Sequence, residues 1–225
     1  MADPKLTKLE LQIMRSAIAK VRSQLGREYD LIIGGKRVKT ADKIKSLNPA
    51  KPSEIVGIHQ KAGKEHVEPA MQAALKAFES WSRTSVEERA ALVFRVGDTM
   101  RQRKMEYMAW LVFEVSKNWA EADADISETI DFCEFYAREA LRFAKAQTPI
   151  QLPGEHDTLH YIPLGVGAVI PPWNFPCAIM RDVARLYSTT ALWGASRSSP
   201  DTTPESISCL SCLRRSSLSL ACRLT

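Results

Sequence analysis

Apolar residues at helical spacing dominate the first 145 positions of the chain. Two runs repeat an apolar side chain every three or four residues, which is the spacing of one face of an amphipathic helix. The first run predicts a helix over about residues 5–25 and consists of Leu6, Leu9, Ile13, Ala17, Val21 and Leu25. The second predicts a helix over about residues 67–81 and consists of Val67, Met71, Ala74, Phe78 and Trp81.

Three further helices are predicted in close succession. Ser85 and Glu88 have the spacing of a capping box, in which a hydroxyl and a carboxylate bind the first free amides of a helix. This box opens a helix over SVEERAALVFRVGDTMRQR, and MEYMAWLVFEVS supplies the next one. A long helix over about residues 119–145 has a main stripe of Ile126, Ile130, Cys133, Ala137, Leu141 and Ala144. A second stripe, on another face of this helix, consists of Glu128, Phe132 and Phe135. It predicts that the helix is buried on two sides.

Strand patterns fill the gaps between these helices. YDLIIGGKRVK predicts two short strands joined by Gly34 and Gly35, a pair that suits a tight hairpin turn. Two more strands are predicted around KIKSLNPA and SEIVGIHQ. TPIQLPGEHDTLHYIPLG alternates around a Pro–Gly turn and predicts a second hairpin over residues 148–164. The apolar run GVGAVI follows as a short strand of the kind that is covered on both faces of a sheet.

The composition is that of a globular protein and disfavours several classes of function. Of the 225 residues, 45% are apolar and 25% are charged, and the formal net charge is +5. This mildly basic balance, without dense runs of lysine or arginine, disfavours nucleic-acid binding. No apolar run is long enough to cross a membrane, and the N-terminus lacks the apolar core of a signal peptide. Five cysteines in such a chain indicate a reducing cytoplasm, and the four scattered histidines show no metal-ligand spacing.

The character of the sequence changes after Met180. Residues 1–180 contain nine serines, whereas residues 181–225 contain ten, and the later segment has six arginines and no lysine. No sustained helix or strand pattern extends beyond about Tyr187. One interpretation is a disordered low-complexity tail. The other is a segment translated out of frame or from a different exon, which the abrupt switch in residue usage favours.

The stretch VIPPWNFP, at residues 169–176, combines features that an ordinary core does not require. Asn174 offers two N–H donors on a short side chain, while Pro171, Pro172 and Pro176 restrict the backbone around it. A rigidly held amide donor suits an oxyanion, because preorganised hydrogen bonds stabilise negative charge where it develops. The alternative is a proline-rich turn whose asparagine satisfies local backbone groups.

Several segments together resemble the aldehyde dehydrogenase superfamily. GVGAVIPPWNFPCAIM is similar to the motif at the first strand of that family's nicotinamide-binding sheet, and IIGGKRV and SLNPAKPSEIVGIHQKAG are similar to its opening strands. VSKNWAEADADISETIDFCEFYARE resembles a long helix of the bacterial-type L-glutamate γ-semialdehyde (1-pyrroline-5-carboxylate) dehydrogenases, with Ser116 and Lys117 where many relatives have Gly–Lys. TPIQLPGEHDTLHYIPLG resembles the family's oligomerisation hairpin. The resemblance covers about residues 5–180.

This resemblance implies a role for each matching residue. Asn174 corresponds to the side-chain donor of the oxyanion hole around the aldehyde oxygen. Phe175 corresponds to an aromatic residue that packs on the aliphatic chain of the aldehyde. Glu128 corresponds to a carboxylate that faces the substrate channel, the alternative being an exposed glutamate on a solvated helix face. The residues expected to line the nicotinamide-ribose side of bound NAD are Ile170, Pro171, Pro172 and Trp173.

The implied activity is NAD-dependent oxidation of L-glutamate γ-semialdehyde to L-glutamate, in proline and arginine breakdown, by a homo-oligomer. In the family a cysteine thiolate attacks the aldehyde, hydride passes to NAD, and a glutamate activates the water that hydrolyses the thioester. The segments that carry this cysteine and glutamate lie far beyond the asparagine, so this chain is expected to be inactive alone. The alternatives are another NAD(P)-dependent aldehyde dehydrogenase and a non-catalytic interaction protein.

The expected fold class is therefore α/β. It is the N-terminal part of the aldehyde dehydrogenase fold, helix-rich, with an incomplete Rossmann-like NAD-binding domain. Residues 1–27 are expected to form a helical arm, and residues 28–147 and 165–180 the incomplete NAD-binding domain. Residues 148–164 form the oligomerisation hairpin and residues 181–225 an unrelated, irregular tail. One strand with its helix cannot cover both faces of a sheet, so an open parallel edge is expected.

Overall fold

The described part of the chain contains five α-helices, a short 3-10 helix at Lys64–His66 and seven strands. The computed structural model describes residues 7–145, 149–163, 165–169, 173–179 and 192–194. The helices are α1 Lys8–Arg22, α2 Val67–Trp81, α3 Val86–Gln102, α4 Lys104–Val115 and α5 Trp119–Phe143. The strands are β1 Arg27–Tyr29, β2 Leu31–Ile33, β3 Lys36–Val38, β4 Lys43–Asn48, β5 Lys51–Gln60, β6 Gly167–Val169 and β7 Leu192–Gly194. The α/β, helix-rich fold class is thereby confirmed.

All five predicted helices are present, and side-chain caps mark where α1, α3 and α5 begin. The Ser85 hydroxyl accepts the amide N–H of Glu88 at 3.3 Å, which confirms the predicted cap of α3. The second half of the predicted capping box does not form, because the Glu88 carboxylate accepts the Ser85 hydroxyl at 3.0 Å and not the Ser85 amide. Asn118 caps α5 in the same way, because its side chain accepts the Glu121 amide at 2.9 Å. Such caps satisfy amides that have no partner within a helix.

The strands form one three-stranded sheet and two strand pairs. In the sheet, β5 lies between β1, which runs parallel to it, and β4, which runs antiparallel. The predicted hairpin of β2 and β3 is confirmed, with Gly34 and Gly35 at φ values of 55° and 74°. Because positive φ at both turn residues matches the twist of the flanking strands, this Gly–Gly pair fixes the register. The second strand pair consists of β6 and β7, which run parallel.

The core lies between the helices, and α4 runs through its centre. Half of the positions of α4 are buried, namely Tyr107, Met108, Ala109, Trp110, Leu111 and Phe113. Helix α1 packs against α4, and the Ser46 hydroxyl of β4 donates to the Glu114 carboxylate of α4 at 2.8 Å. Val169 of β6 and Cys177 beyond it belong to the same buried cluster. No helix in the described ranges is long and apolar enough to span a bilayer.

The prediction of a second β-hairpin over residues 148–164 is wrong in its strands and correct in its turn. Gly154 has a φ of 88° in a Pro–Gly turn, but residues 149–163 contain no strand, only an isolated β-bridge at Leu159. The Gln151 side chain instead bridges the segment, accepting the Asp157 amide at 2.9 Å and donating to the Asp157 carbonyl at 2.8 Å. These residues are exposed, and two strands without a supporting sheet are marginally stable.

Two further predictions, both about burial, are wrong. The sequence predicts that β6 is covered on both faces, but Ala168 is exposed while Val169 is buried. It also predicts that the second stripe of α5 is buried, but Glu128 is exposed and Phe135 is 56% exposed. In both cases no described element covers the second face. Strand β7 is the part of the segment 181–225 that the structure describes, in a region where the sequence predicts no sustained strand.

Replacing Ser116 by glycine should raise the free energy of unfolding by about 0.5–1 kcal/mol. Ser116 ends α4 with φ 54° and ψ 30°, a left-handed conformation that costs a non-glycine residue about 1–2 kcal/mol. The greater freedom of glycine in the unfolded chain cancels part of this gain. Urea unfolding measures the change. Ser82 is the matched control, because it ends α2 in the right-handed conformation and its replacement by glycine should lower stability.

Candidate functional site

The loop that follows β6 carries the predicted donor, Asn174. The described chain resumes at Trp173, and the backbone becomes helical at Ala178. Asn174 is exposed, and its side chain forms no hydrogen bond with another described residue. The alternative, in which the amide satisfies local backbone groups, finds no such bond in this part of the chain. The predicted cofactor contacts Ile170, Pro171 and Pro172 lie outside the described residues.

The loop exposes three residues and buries the next three. Trp173 and Phe175 are 46% and 38% exposed, whereas residues 176–178 are buried. Cys177 is only 2% exposed and packs in the core as a small apolar residue. Because the chain on the C-terminal side of the asparagine is packed in the core, the exposed amide sits on a firmly anchored segment.

A buried carboxylate on α5 binds this loop directly. Asp125 is 0% exposed, and its Oδ1 accepts the backbone amide of Ala178 at 3.0 Å. Its Oδ2 accepts Lys117 Nζ at 2.8 Å in a salt bridge. Lys117 Nζ also lies 4.2 Å from the centroid of the Phe175 ring. The connection between α4 and α5, the first turns of α5 and the loop after β6 therefore meet at one ion pair.

The sequence contained a signal for Asp125 that the predicted stripes missed. The buried face of α5 begins earlier than Ile126 and includes Ala122, Asp125 and Thr129. An aspartate spaced among such positions indicates a charge that is buried and therefore paired. The Thr129 hydroxyl, also buried, donates to the backbone carbonyl of Asp125 at 2.6 Å.

Glu128, the predicted substrate-facing carboxylate, lies one helical turn beyond Asp125 on α5. It is exposed and forms no hydrogen bond or ion pair with another described residue. Its aromatic neighbours on that face, Phe132 and Phe135, both pack against Tyr136, with ring centroids 5.9 and 5.1 Å apart. An exposed carboxylate beside aromatic rings is available to a ligand. The substrate-facing role of Glu128 stays a prediction.

Another largely buried carboxylate, Glu106, lies at the contact of α1 and α4, away from the loop. Burial raises the pKa of Glu106, but hydrogen bonds from Arg103 and Lys20, at 2.7 and 2.9 Å, outweigh it. The net result is a pKa below the ordinary value for glutamate. This carboxylate fastens the N-terminal helix to the central one and has no part in the site. No group of three or more His, Cys, Asp or Glu residues suited to a metal ion occurs in the described ranges.

Curated relatives share the first part of their sequence with this chain. The 1-pyrroline-5-carboxylate dehydrogenase of Geobacillus thermodenitrificans is 53% identical over 169 residues, which are 75% of this chain and 33% of the relative. The Bacillus subtilis protein named 1-pyrroline-5-carboxylate dehydrogenase 2 is 50% identical over 170 residues, 76% of this chain and 33% of its own length. The chain therefore spans about a third of the length of the curated relatives that it matches.

Solved structures and the family profile agree with these relatives. A mutant of Thermus thermophilus 1-pyrroline-5-carboxylate dehydrogenase superposes with a TM-score of 0.79 at 43% identity, covering 88% of this chain and 38% of that one. A structure of the Thermus enzyme with bound NAD has a TM-score of 0.78, also at 43% identity, with coverages of 86% and 38%. The profile of the aldehyde dehydrogenase family matches residues 37–186. The chain belongs to the aldehyde dehydrogenase family.

Proposed function

We propose that the chain serves the NAD-dependent oxidation of L-glutamate γ-semialdehyde, the open form of 1-pyrroline-5-carboxylate, to L-glutamate. The observation that carries this proposal is the 53% identity over 169 residues to a 1-pyrroline-5-carboxylate dehydrogenase. A family match alone supports an aldehyde as substrate, whereas identity at this level to relatives with one shared name supports one aldehyde in particular.

Asn174 supplies the electrophilic side of this reaction. When a nucleophile adds to an aldehyde, negative charge develops on the carbonyl oxygen, and a fixed N–H donor stabilises it. The exposed amide of Asn174, on a loop whose next residues are buried, has the required combination of access and rigidity. Phe175 is 38% exposed beside it and offers an apolar surface to the aliphatic chain of the aldehyde.

The loop after β6 also suits the cofactor. In open α/β sheets, ligands bind beyond the carboxyl ends of the strands, and the 46% exposed indole of Trp173 lies in the loop that follows the carboxyl end of β6. When bound, NAD would take up the hydride that leaves the former aldehyde carbon after a nucleophile has added to it. The residues proposed to line its nicotinamide-ribose side are Ile170, Pro171, Pro172 and Trp173.

The 225-residue chain should not complete this reaction alone. Its match ends about a third of the way along the relatives, and the nucleophilic cysteine and the glutamate that activates water are expected beyond that point. The residues of this chain can be assayed in a chimera, in which residues 7–179 replace the matching segment of the Geobacillus thermodenitrificans relative. The chain alone is expected to form no NADH from the semialdehyde and NAD. Turnover by the chain alone would show that its own residues complete the site.

Glu128→Ala in the chimera tests the choice of substrate. We expect the KM for glutamate semialdehyde to rise about tenfold or more, because a carboxylate that accepts from the α-ammonium group is lost. Pentanal has no ammonium group, so its KM should stay within about twofold. Steady-state NADH formation measures both. Asp131→Ala removes another exposed carboxylate of α5 and is the matched control. Equal changes with both aldehydes would favour a general aldehyde dehydrogenase.

A second candidate function is a non-catalytic interaction protein. It is favoured by a run of exposed apolar side chains in residues 149–163, namely Ile150, Leu152, Leu159, Tyr161 and Ile162. These side chains suit pairing with a second copy of the chain, as the oligomerisation segment of the family would. Light scattering and NAD titration separate the two functions: a stable, monodisperse assembly that binds no NAD in either the chain or the chimera would support the interaction protein.

A further inference from the structure

We propose that the buried Lys117–Asp125 ion pair is a positioning device for the loop that carries Asn174. The pair is almost inaccessible, with side-chain exposures of 11% for Lys117 and 0% for Asp125. Both members contact the loop as well as each other, which an ion pair serving only the helices would not do. The expected effect of this pair on catalysis rests on the proposed function, whereas its restraint of the loop does not.

The first contact is the hydrogen bond from the Ala178 amide to Asp125. Ala178 is the first residue with helical backbone in its segment, and the first amides of a helix have no acceptor within that helix. Asp125 Oδ1 supplies the acceptor at 3.0 Å from 53 positions earlier in the chain. The start of the segment after Asn174 is therefore fixed by a charged group on another helix, four residues from the proposed donor.

The second contact runs through Lys117. Its ammonium group binds Asp125 Oδ2 at 2.8 Å and lies 4.2 Å from the centroid of the Phe175 ring, a distance at which a cation is attracted to an aromatic face. Ser116, in its left-handed conformation, ends α4 immediately before Lys117 and directs the chain into α5. The ion pair thus holds the loop at Phe175, next to Asn174, and again at Ala178.

The chemistry of the pair fits positioning better than stabilisation. The desolvation of two buried charges offsets much of their attraction, so an apolar pair of the same volume would stabilise the core about as well. A carboxylate, in contrast, forms directional bonds that define where its partners lie. Donors to a developing charge have to be held within a fraction of an ångström, and neighbouring groups provide that restraint. Asn174 itself forms no hydrogen bond with the described residues, so its placement depends on such neighbours.

Amide hydrogen exchange of the full 225-residue chain tests the proposal without any catalysis. The variant Lys117→Met/Asp125→Leu leaves an apolar pair and no unpaired charge, so it should fold, but the Ala178 amide loses its acceptor. We expect exchange at Ala178 to accelerate about tenfold to a hundredfold relative to the Leu111 amide in the centre of α4. Lys104→Met is the matched control, because it breaks the 2.6 Å ion pair between Lys104 and Asp123, which lies on α5 as Asp125 does. It should leave the ratio of the Ala178 and Leu111 exchange rates unchanged.

The outcome is decided by where the acceleration occurs. A change at Ala178 with Leu111 unaltered supports positioning. An equal acceleration at both amides would show that the pair only stabilises the fold. No acceleration at Ala178 would show that the pair does not restrain the loop. Either result would overturn the proposal. In the chimera, the double variant should also lower kcat about tenfold or more with little change in the KM for NAD. The exchange result stands even if the chimera oxidises a different aldehyde.

Discussion

Asn174→Ala in the chimera is expected to lower kcat by about a hundredfold to a thousandfold, with little change in KM. The loss of a single oxyanion donor has this size in enzymes that stabilise a charged carbonyl oxygen. The effect falls on kcat because the oxygen carries its full charge only in the transition state, so the ground-state complex loses little. Stopped-flow and steady-state measurement of NADH give both constants.

Asn174→Asp is the companion variant, because it keeps the volume and replaces the donor by an acceptor. It should be at least as inactive as the alanine variant, since a negative group would face a developing negative charge. Both proteins should retain the unfolding midpoint of the parent chimera, because the Asn174 side chain is exposed and binds no described residue. A kcat within about fivefold of the parent in both variants would remove Asn174 from the chemistry.

Gly97→Ala should lower the free energy of unfolding by about 1–3 kcal/mol. Gly97 is buried in α3 where that helix crosses α5, and a Cβ atom added to it would lie 2.9 Å from the Cβ of Cys133. Both atoms are close to the backbone and neither can rotate away, so the helices have to separate. The direction is informative, because helix propensity alone predicts that alanine stabilises a helix interior by about 1 kcal/mol.

Thermal and urea unfolding of the full chain measure this change. Cys133→Gly removes the opposing Cβ, so the double variant should be less destabilised than the sum of the two single variants. Arg95→Ala, at an exposed position of the same helix, should stay within about 0.5 kcal/mol and serves as the control. A Gly97→Ala chain that is more stable than the parent would mean that α3 and α5 are not in close contact there.

The periodicity of the sequence was enough to predict the helices and the Gly–Gly hairpin. These elements are encoded locally: the apolar stripes, the hydroxyl cap at Ser85 and the turn residues all lie within the element that they specify. Strand β1 was missed because Arg27–Tyr29 has no strand pattern of its own and becomes a strand by pairing with β5. The opposite error occurred in the segment 148–164: its alternating pattern predicts strands, but residues 149–163 contain only an isolated β-bridge at Leu159.

The sequence pointed to the loop with Asn174, whose role stays a prediction, but it did not point to the ion pair that contacts this loop. Asn174 stands out within a few adjacent residues, because proline and tryptophan surround it in the sequence. Asp125 could not be assigned from the same residues, since its partners Lys117 and Ala178 are 8 and 53 positions away and only the fold brings them together. The predicted second face of α5 was wrong because spacing predicts which residues share a face but not whether another element covers it.

The most direct test of the central claim is the formation of NADH by the chimera from L-glutamate γ-semialdehyde and NAD. Residues 7–179 of this chain then supply Asn174, its aromatic neighbour and the loop proposed to line the cofactor, while the relative supplies the proposed nucleophile and the remainder of the fold. We predict NADH and glutamate in equal amounts, and none from the 225-residue chain alone. A chimera that folds and binds NAD, yet forms no NADH while the unaltered relative does, would contradict the assignment of this loop to aldehyde oxidation.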